Sequence, residues 1–338
     1  MSTQSLLEIV IPTYNRSDIL SASLKELCPI IGVQSSEISL RVIDNCSTDS
    51  TREVVKPYLD KGLISYECNQ SNIGLIRNIA KSINTSSAKW TWVLGDDDHV
   101  ILHSLPFLLS ALKTLDDDTV FARARCITVA ENGSISSVET INVPAVNSIN
   151  YYSPGIGIAE CGSIHSLAFI SQLIMNPALW DQNYHDSIYS ESDLYTFVLT
   201  LLHSCLHRKS ASLELHITAG TDRGDRSYYT SNMCIARLTE YTEYERFIHE
   251  QFGKRMARKV LSRSRNKMLS LRIASCLKFV SHAGDYRIRG RDPISFMSSY
   301  SSPYLRDVVV VRTIAMLSKL PLGSIVIKNL YSYFSKKR

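Results

Sequence analysis

The sequence predicts an α/β fold, a mostly parallel sheet with helices on both faces, followed by a basic and mainly helical C-terminal region. Three observations carry this reading. Short apolar runs alternate with segments of helical spacing through the first third of the chain, acidic and amide residues gather where those runs end, and charge divides sharply near residue 250. At 338 residues, 44% hydrophobic and 20% charged, the chain can bury a sizeable core and falls outside the disordered and collagen-like classes.

Residues 7–11 (LEIVI) form an apolar run stopped by Pro12, a buried-strand signal. Ile19, Leu20, Leu24, Leu27 and Ile31 then recur at helical spacing across 18–31. Residues 38–43 read as a second strand by β-branched alternation, ending at Asp44 and Asn45. Ser47 or Thr48 is placed to cap a helix through Val54, Val55 and Tyr58. A third strand, 64–67, leads past Asn69, Asn72 and Gly74 to a helix of about 75–83. The run WTWVL (90–94) is a fourth strand that enters Gly95, Asp96, Asp97 and Asp98 directly; residues 102–115 follow as a helix and 119–129 as a strand. In such a sheet, ligands bind at the carboxyl ends of the strands. Thr13, Tyr14, Asn15, Asp44, Asn45, Asn72 and the three aspartates all fall there.

Three adjacent carboxylates repel one another and lose hydration when a fold packs them near a strand end, so a cation or solvent must neutralise them. Their oxygens suit Mg²⁺ or Mn²⁺, hard cations usually shared with substrate phosphates. Asp116, Asp117 and Asp118 make an internal control: they lie between a helix and a strand, where a solvated turn explains them. Nine histidines without HxH or HExxH spacing give no zinc chemistry, and neither GxxxxGK[ST] nor GxGxxG occurs. Eight cysteines without a CxxC pair fit free thiols in a reducing cytosol.

In order, IVIPTYNR (9–16), VIDNCSTDST (42–51), NQSNIGLIRN (69–78) and WVLGDDD (92–98) resemble the inverting family 2 glycosyltransferases of the GT-A fold. Motifs ending LGDDD are similar to a subgroup of bacterial O-antigen and capsule sugar transferases, among them abequosyltransferase-like enzymes that add dideoxyhexoses. The resemblance implies a Rossmann-like GT-A sheet, a nucleotide-diphosphate sugar donor and a polyprenyl-diphosphate-linked oligosaccharide acceptor. It places Pro12, Thr13 and Tyr14 around the base and ribose, with Arg16 near the same pocket. Asp44 would hydrogen-bond the base, with Asn45 in the second position of that pair, and Asn72, Gly74 and Arg77 would lie beside the base and diphosphate. Asp96, Asp97 and Asp98 form the acidic element, Asp98 as direct metal ligand with Asp96, which also lies nearer the ribose and sugar. The acids of 185–202 resemble the family's EDxDL element before a helix and imply a general base, Asp193 on one alignment and Glu191 on the other. Asn45 and the shortened third motif depart from the common pattern and leave the base open.

Residues 155–163 read as a loop by default, and the Gly-rich stretch 218–226, with Arg223 and Arg226, reads as an exposed loop or a lid. Residues 251–338 hold 19 Lys and Arg against three acids, a net +16, and the first 250 residues carry −11. From Leu305 to Phe334 apolar stretches mix with Arg306, Arg312, Lys319 and Lys328, an interfacial pattern that fits an anionic membrane surface. There is no apolar run long enough to span a bilayer, no signal-peptide pattern at the N-terminus and no aromatic-basic module for nucleic acid. The expected organisation is a catalytic domain over 1–230, with its nucleotide half at about 6–130 and its acceptor half at 131–230, and a membrane-associating helical region over 231–338. The expected location is cytoplasmic, peripheral on the inner membrane face. A nucleotidyltransferase, or a non-catalytic nucleotide-sugar-binding assembly subunit, is the competing reading.

Overall fold

The computed structural model describes residues 5–33, 36–130, 149–155, 167–188, 196–222, 234–261, 265–282, 288, 291–320, 323 and 325–329. The chain divides into two compact units, Met1–Ile188 with Phe197–Gly224, and Tyr189–Thr196 with Asp225–Arg338.

The first unit is built on β1 (Leu7–Thr13), α1 (Ser17–Val33), β2 (Ile38–Asp44), α2 (Thr51–Leu59), β3 (Ser65–Cys68), α3 (Leu75–Asn84) and β4 (Trp90–Val93). After these come β5 (His99–Val100), α4 (Leu105–Thr114), β6 (Thr119–Ala130), β7 (Ile149–Tyr152), β8 (Leu173–Met175), α5 (Gln182–Ile188), α6 (Thr196–Ser204) and β9 (Lys209–Asp222). One nine-stranded sheet runs β3-β2-β1-β4-β8-β6-β9-β5, with β7 also on β9. The β3-β2-β1-β4 half is parallel throughout. Beyond it, β8 pairs antiparallel to both β4 and β6, β6 and β9 are parallel, and β5 and β7 run antiparallel to β9.

Period and burial agree. Leu20, Leu24, Leu27 and Ile31 line the inner face of α1, and Leu7, Ile9, Ile11, Trp90 and Trp92 are fully buried in the sheet. The indole N–H groups donate inward, Trp90 to the Leu112 carbonyl at 3.2 Å and Trp92 to the Ser171 carbonyl at 2.8 Å. Strand β1 continues past Pro12, because residues facing β2 still pair: the Asn45 N–H donates to the Thr13 carbonyl at 2.9 Å. Val10 faces β4, accepting from the Leu94 N–H, so by strand alternation Pro12 faces β4 as well. Its missing N–H ends pairing on that side and lets 95–98 leave the sheet. The cap of α2 differs from expectation. Its N-cap is Ser50, which makes no side-chain cap bond, and Asp49, not Ser47 or Thr48, accepts from the Thr51 N–H at 3.1 Å.

The second unit contains α7 (Glu240–Leu261, broken at Gly253 with φ 71°), α8 (Arg265–Ser281), α9 (Pro293–Ser298) and α10 (Leu305–Ser318). Its core includes Leu238, Cys276, Phe279, Met297, Tyr300, Val311 and Ala315. No helix among the described residues is long and apolar enough to cross a membrane. The cysteines among the described residues are free.

Candidate active site

Parallel pairing in register puts the motif residues on one edge. Thr13 lies opposite Asp44, Asp44 opposite Cys68, and Val10 opposite Val93. The four strand-end loops therefore emerge side by side, at the crevice where β1 separates from β4.

Tertiary contacts tie the first loop to the acidic one. The Thr13 hydroxyl donates to Asp96 Oδ2 at 3.0 Å. The Arg16 guanidinium spans two carboxylates, Nη1 to Asp96 Oδ1 at 2.5 Å and Nη2 to Asp97 Oδ2 at 2.8 Å. The Ser23 hydroxyl holds the Asp96 carbonyl at 2.6 Å, and Asp96 is 3% exposed. Asp98 is held from the opposite side. Ser171, fully buried, accepts from the Gly95 N–H at 2.9 Å and donates to Asp98 Oδ2 at 2.5 Å. Burial pushes the Asp98 carboxyl up to about 7; the charges of Asp97 and Asp96 add to that, while the Ser171 hydrogen bond and His99 oppose it. A Cβ at Gly95 would sit 2.7 Å from Asp98 Oδ2, so a side chain there would displace that carboxylate from Ser171. His99 next door pairs with Glu26 at 3.0 Å.

The control triplet behaves differently. Asp116, Asp117 and Asp118 each meet a separate cation, Lys209 at 2.6 Å, Lys89 at 2.8 Å and Arg208 at 3.2 Å. Three carboxylates with three cations of their own need no ion. The first triplet has Arg16 across two members and, among the described residues, the Ser171 hydroxyl bonded to the third.

The second and third loops form an amide network. Asn45 donates to Asn72 Oδ1 at 2.8 Å and accepts from Asn69 at 3.0 Å and from the Ile73 N–H at 2.9 Å. Asn72 in turn accepts from the Gly74 N–H at 2.9 Å, and Gly74 turns into α3 with φ 85°. Lys81 and Asn78 complete the set through Asn69. The backbone adopts left-handed conformations at Asn15 (φ 51°) and Cys46 (φ 66°), the two such non-glycine residues among those described. Asn15 donates its N–H to Ser47 Oγ at 2.8 Å and accepts from the Thr48 N–H at 2.7 Å. Ser47 and Thr48 thus lock two site loops together. Backbone strain held by such contacts is a feature of functional sites.

Asp44 is 2% exposed, with one oxygen accepting from the Ser47 N–H at 2.8 Å and the other from the Tyr66 hydroxyl at 2.7 Å. Tyr14 presents its ring at 41% exposure beside half-buried Pro12. Arg77, on the exposed side of α3, lines a cavity of about 320 Å³ with Lys81, Gln182, His185 and Asp186. Asp193 and Glu191 lie outside the described residues, as do Arg223 and Arg226. Thr218 to Asp222 are strand rather than lid: Ala219 pairs with His99, and Gly220 would place a Cβ 3.5 Å from Asp98 Oδ1. Ser171 and Ser23 escaped sequence reading because no motif marks them; the partner of each is about 73 residues away.

Among the described residues no three His, Cys, Asp or Glu side chains gather as a metal site, so Asp96 and Asp98 would need the oxygens of a donor diphosphate to complete the shell of a divalent cation. Carboxylates are hard oxygen ligands. Asp98, crowded by two further charges and raised to about 7, would recover its charged form beside such an ion.

Residues 8–153 match the family described as Glycosyl transferase family 2. The abequosyltransferase RfbV of Salmonella typhimurium is 28% identical over 193 residues, which is 54% of this chain and 56% of that protein. The chain thus spans little more than half the length of this curated relative. Among solved structures, S. aureus TarS 1-349 superposes with TM-score 0.52 at 15% identity, over 98% of this chain and 92% of that one. A mannosyltransferase from Pyrobaculum calidifontis, in complex with GDP-Man and Mn²⁺, gives TM-score 0.51 at 11% identity, over 98% and 88%. These likenesses concern the fold. The ordered strand-end motifs, the acidic cluster and the match over residues 8–153 converge: this part of the chain is similar to the family 2 glycosyltransferases, on a GT-A fold.

Proposed function

We propose that the protein transfers a sugar from a nucleotide-diphosphate donor to a hydroxyl of a lipid-linked oligosaccharide, in bacterial O-antigen or capsule synthesis, with inversion at the anomeric carbon. The observation that carries this reading is the convergence of Thr13, Arg16, Asp96, Asp97 and Asp98 on one strand edge of a domain similar to family 2. The distant abequosyltransferase relative supports a dideoxyhexose as the donor sugar.

Pro12, Thr13 and Tyr14 would bind the base and ribose, with Tyr14 offering its ring face for stacking. Asp44 and Asn45 would shape the base pocket, and Asn72, Gly74 and Arg77 would lie beside the base and diphosphate. Asp98 and Asp96 would hold Mg²⁺ or Mn²⁺, which would neutralise the diphosphate of the departing nucleotide. The acceptor hydroxyl attacks the anomeric carbon while Asp193 or Glu191 takes its proton, and the bond to the diphosphate oxygen breaks with its electron pair on that oxygen. A lipid-linked acceptor places the enzyme peripherally on the cytoplasmic face of the membrane.

A panel of nucleotide sugars, assayed for slow donor hydrolysis with and without Mn²⁺, tests the reaction. Release of a nucleoside diphosphate from one class of donor is expected. Release of pyrophosphate from a nucleoside triphosphate and sugar phosphate would mean nucleotidyl transfer instead, and silence across the panel would leave a binding subunit.

Ser171→Ala removes the hydroxyl that orients Asp98. Partners of this kind are worth about 10–100-fold in metal affinity. Mn²⁺ titration followed by electron paramagnetic resonance should show such a loss with the secondary structure unchanged. An unaltered Mn²⁺ affinity would remove Ser171 from the site.

A further inference from the structure

Helix α10 is held to the second unit by one face. Asp307, Val311, Ala315 and Ser318 are its buried positions. Asp307 is 1% exposed and ion-paired with Arg272, a fully buried side chain that also meets Glu245 at 2.8 Å. This anchor fixes the rotation of the helix, because turning it would leave charges unpaired in the interior.

The opposite face is aliphatic. Leu305, Val309 and Met316, with Leu320 just beyond the helix end, are 77%, 54%, 60% and 52% exposed. Helical geometry places them in a stripe roughly 60° wide, with Arg306 on one flank and Arg312 and Lys319 on the other. The chain repeats the arrangement at 325–329, where Ile327 is buried while Ile325, Val326 and Lys328 face outward. Among the described residues from 305 onward the exposed charges are four cations, since the one acid, Asp307, is turned inward.

A helix facing water carries polar side chains on its outer side. Here the packing is reversed and the flanks are basic. A second copy would set cations against cations across the contact. An anionic bilayer accepts both features, aliphatic side chains at the acyl boundary and cations at the headgroups.

We infer that the outward face of α10, Leu305, Val309, Met316 and Leu320 with Arg306, Arg312 and Lys319, is a docking surface for an anionic lipid bilayer, with the helix lying in the interface. The inference deepens the lipid-linked reading above and rests on it for the membrane's purpose. Its test uses neither donor nor acceptor, so its failure leaves the transfer reaction standing.

The full chain is sedimented with vesicles of phosphatidylcholine containing phosphatidylglycerol, and with phosphatidylcholine alone, across a salt series. Binding to the anionic vesicles alone is expected, weakening as salt rises. Arg306→Gln with Lys319→Gln should weaken it by about fivefold per charge. Val309→Asp with Met316→Asp should reduce it to the level seen with neutral lipid. Circular dichroism checks folding of both pairs, since Arg306 also lies 3.8 Å from Asp307; should the aspartate pair unfold, the glutamine pair decides, with Lys319→Gln alone as the variant that touches no buried charge. No binding to anionic vesicles at low salt overturns the proposal, as do variants that bind like the parent. Light scattering that shows a dimer lost in the aspartate pair, with lipid binding intact, would instead assign the face to a second copy.

Discussion

Asp98→Asn is expected to cut sugar transfer by at least about 10²–10³-fold, as loss of a preorganised electrostatic group does, and to abolish Mn²⁺ binding while raising the melting temperature of the metal-free protein. The amide keeps the shape of the carboxyl and a partner for the Ser171 hydroxyl, but it removes one charge from three crowded carboxylates. Burial already raises Asp98 to about 7 in the folded chain. A carboxyl raised on folding opposes the native state fully above its folded value, and this cost disappears as pH falls toward its unfolded value of about 4. The variant's advantage in chelator should therefore be full above pH of about 7 and shrink on acidification toward about 4. Melting curves of both proteins across that range check the sign. A gap that does not widen with pH contradicts the electrostatic account, and full turnover by the variant in chelator contradicts the metal assignment.

Asp193→Asn is expected to lower transfer by about 10²–10⁴-fold, the usual worth of a general base, with donor affinity kept. The base acts on the acceptor hydroxyl, so binding of the nucleotide sugar, read by calorimetry, should match the parent. A loss of less than about threefold would shift the role to Glu191, and Glu191→Gln should then show the large effect. The acids of 185–202 resemble the family's acidic element. The bland reading is an acidic helix N-terminus stabilised by the backbone dipole. It predicts a small stability change and no loss of rate.

Much of the site was legible in one dimension because its signals are local. LEIVIPTYN, the IDN junction, ISYECNQSN and WTWVLGDDD each declare a strand and its polar end within a dozen residues. Parallel pairing then brings those ends together whatever the intervening helices contain. The helix ends were less legible. Ser47 and Thr48 read as caps by proximity, yet Asn15, about 32 residues away, claims both, and the N-cap position falls to Ser50, with Asp49 accepting from the Thr51 N–H. The stretch 218–226 looked like a loop from its glycines, but β6 and β5 recruit Thr218 to Asp222 into a strand.

The sequence by itself determined the alternation of strands and helices, the four motifs at one sheet edge, the difference between the two aspartate triplets and the basic character of the last ninety or so residues. Periodicity and net charge are properties of neighbours in the chain, and need no partner to be read. Only the tertiary structure decided which half of the sheet departs from parallel order, because a three-residue strand such as β8 exists only through its pairing with β4 and β6. It decided too that Ser171 steers Asp98 and that Arg16 joins Asp96 to Asp97. It turned Asp307 inward onto Arg272 and so left α10 with an aliphatic, cationic outer face. Whether a polar side chain is buried or exposed depends on a partner distant in sequence, and burying a charge is tolerated only once that partner is in place.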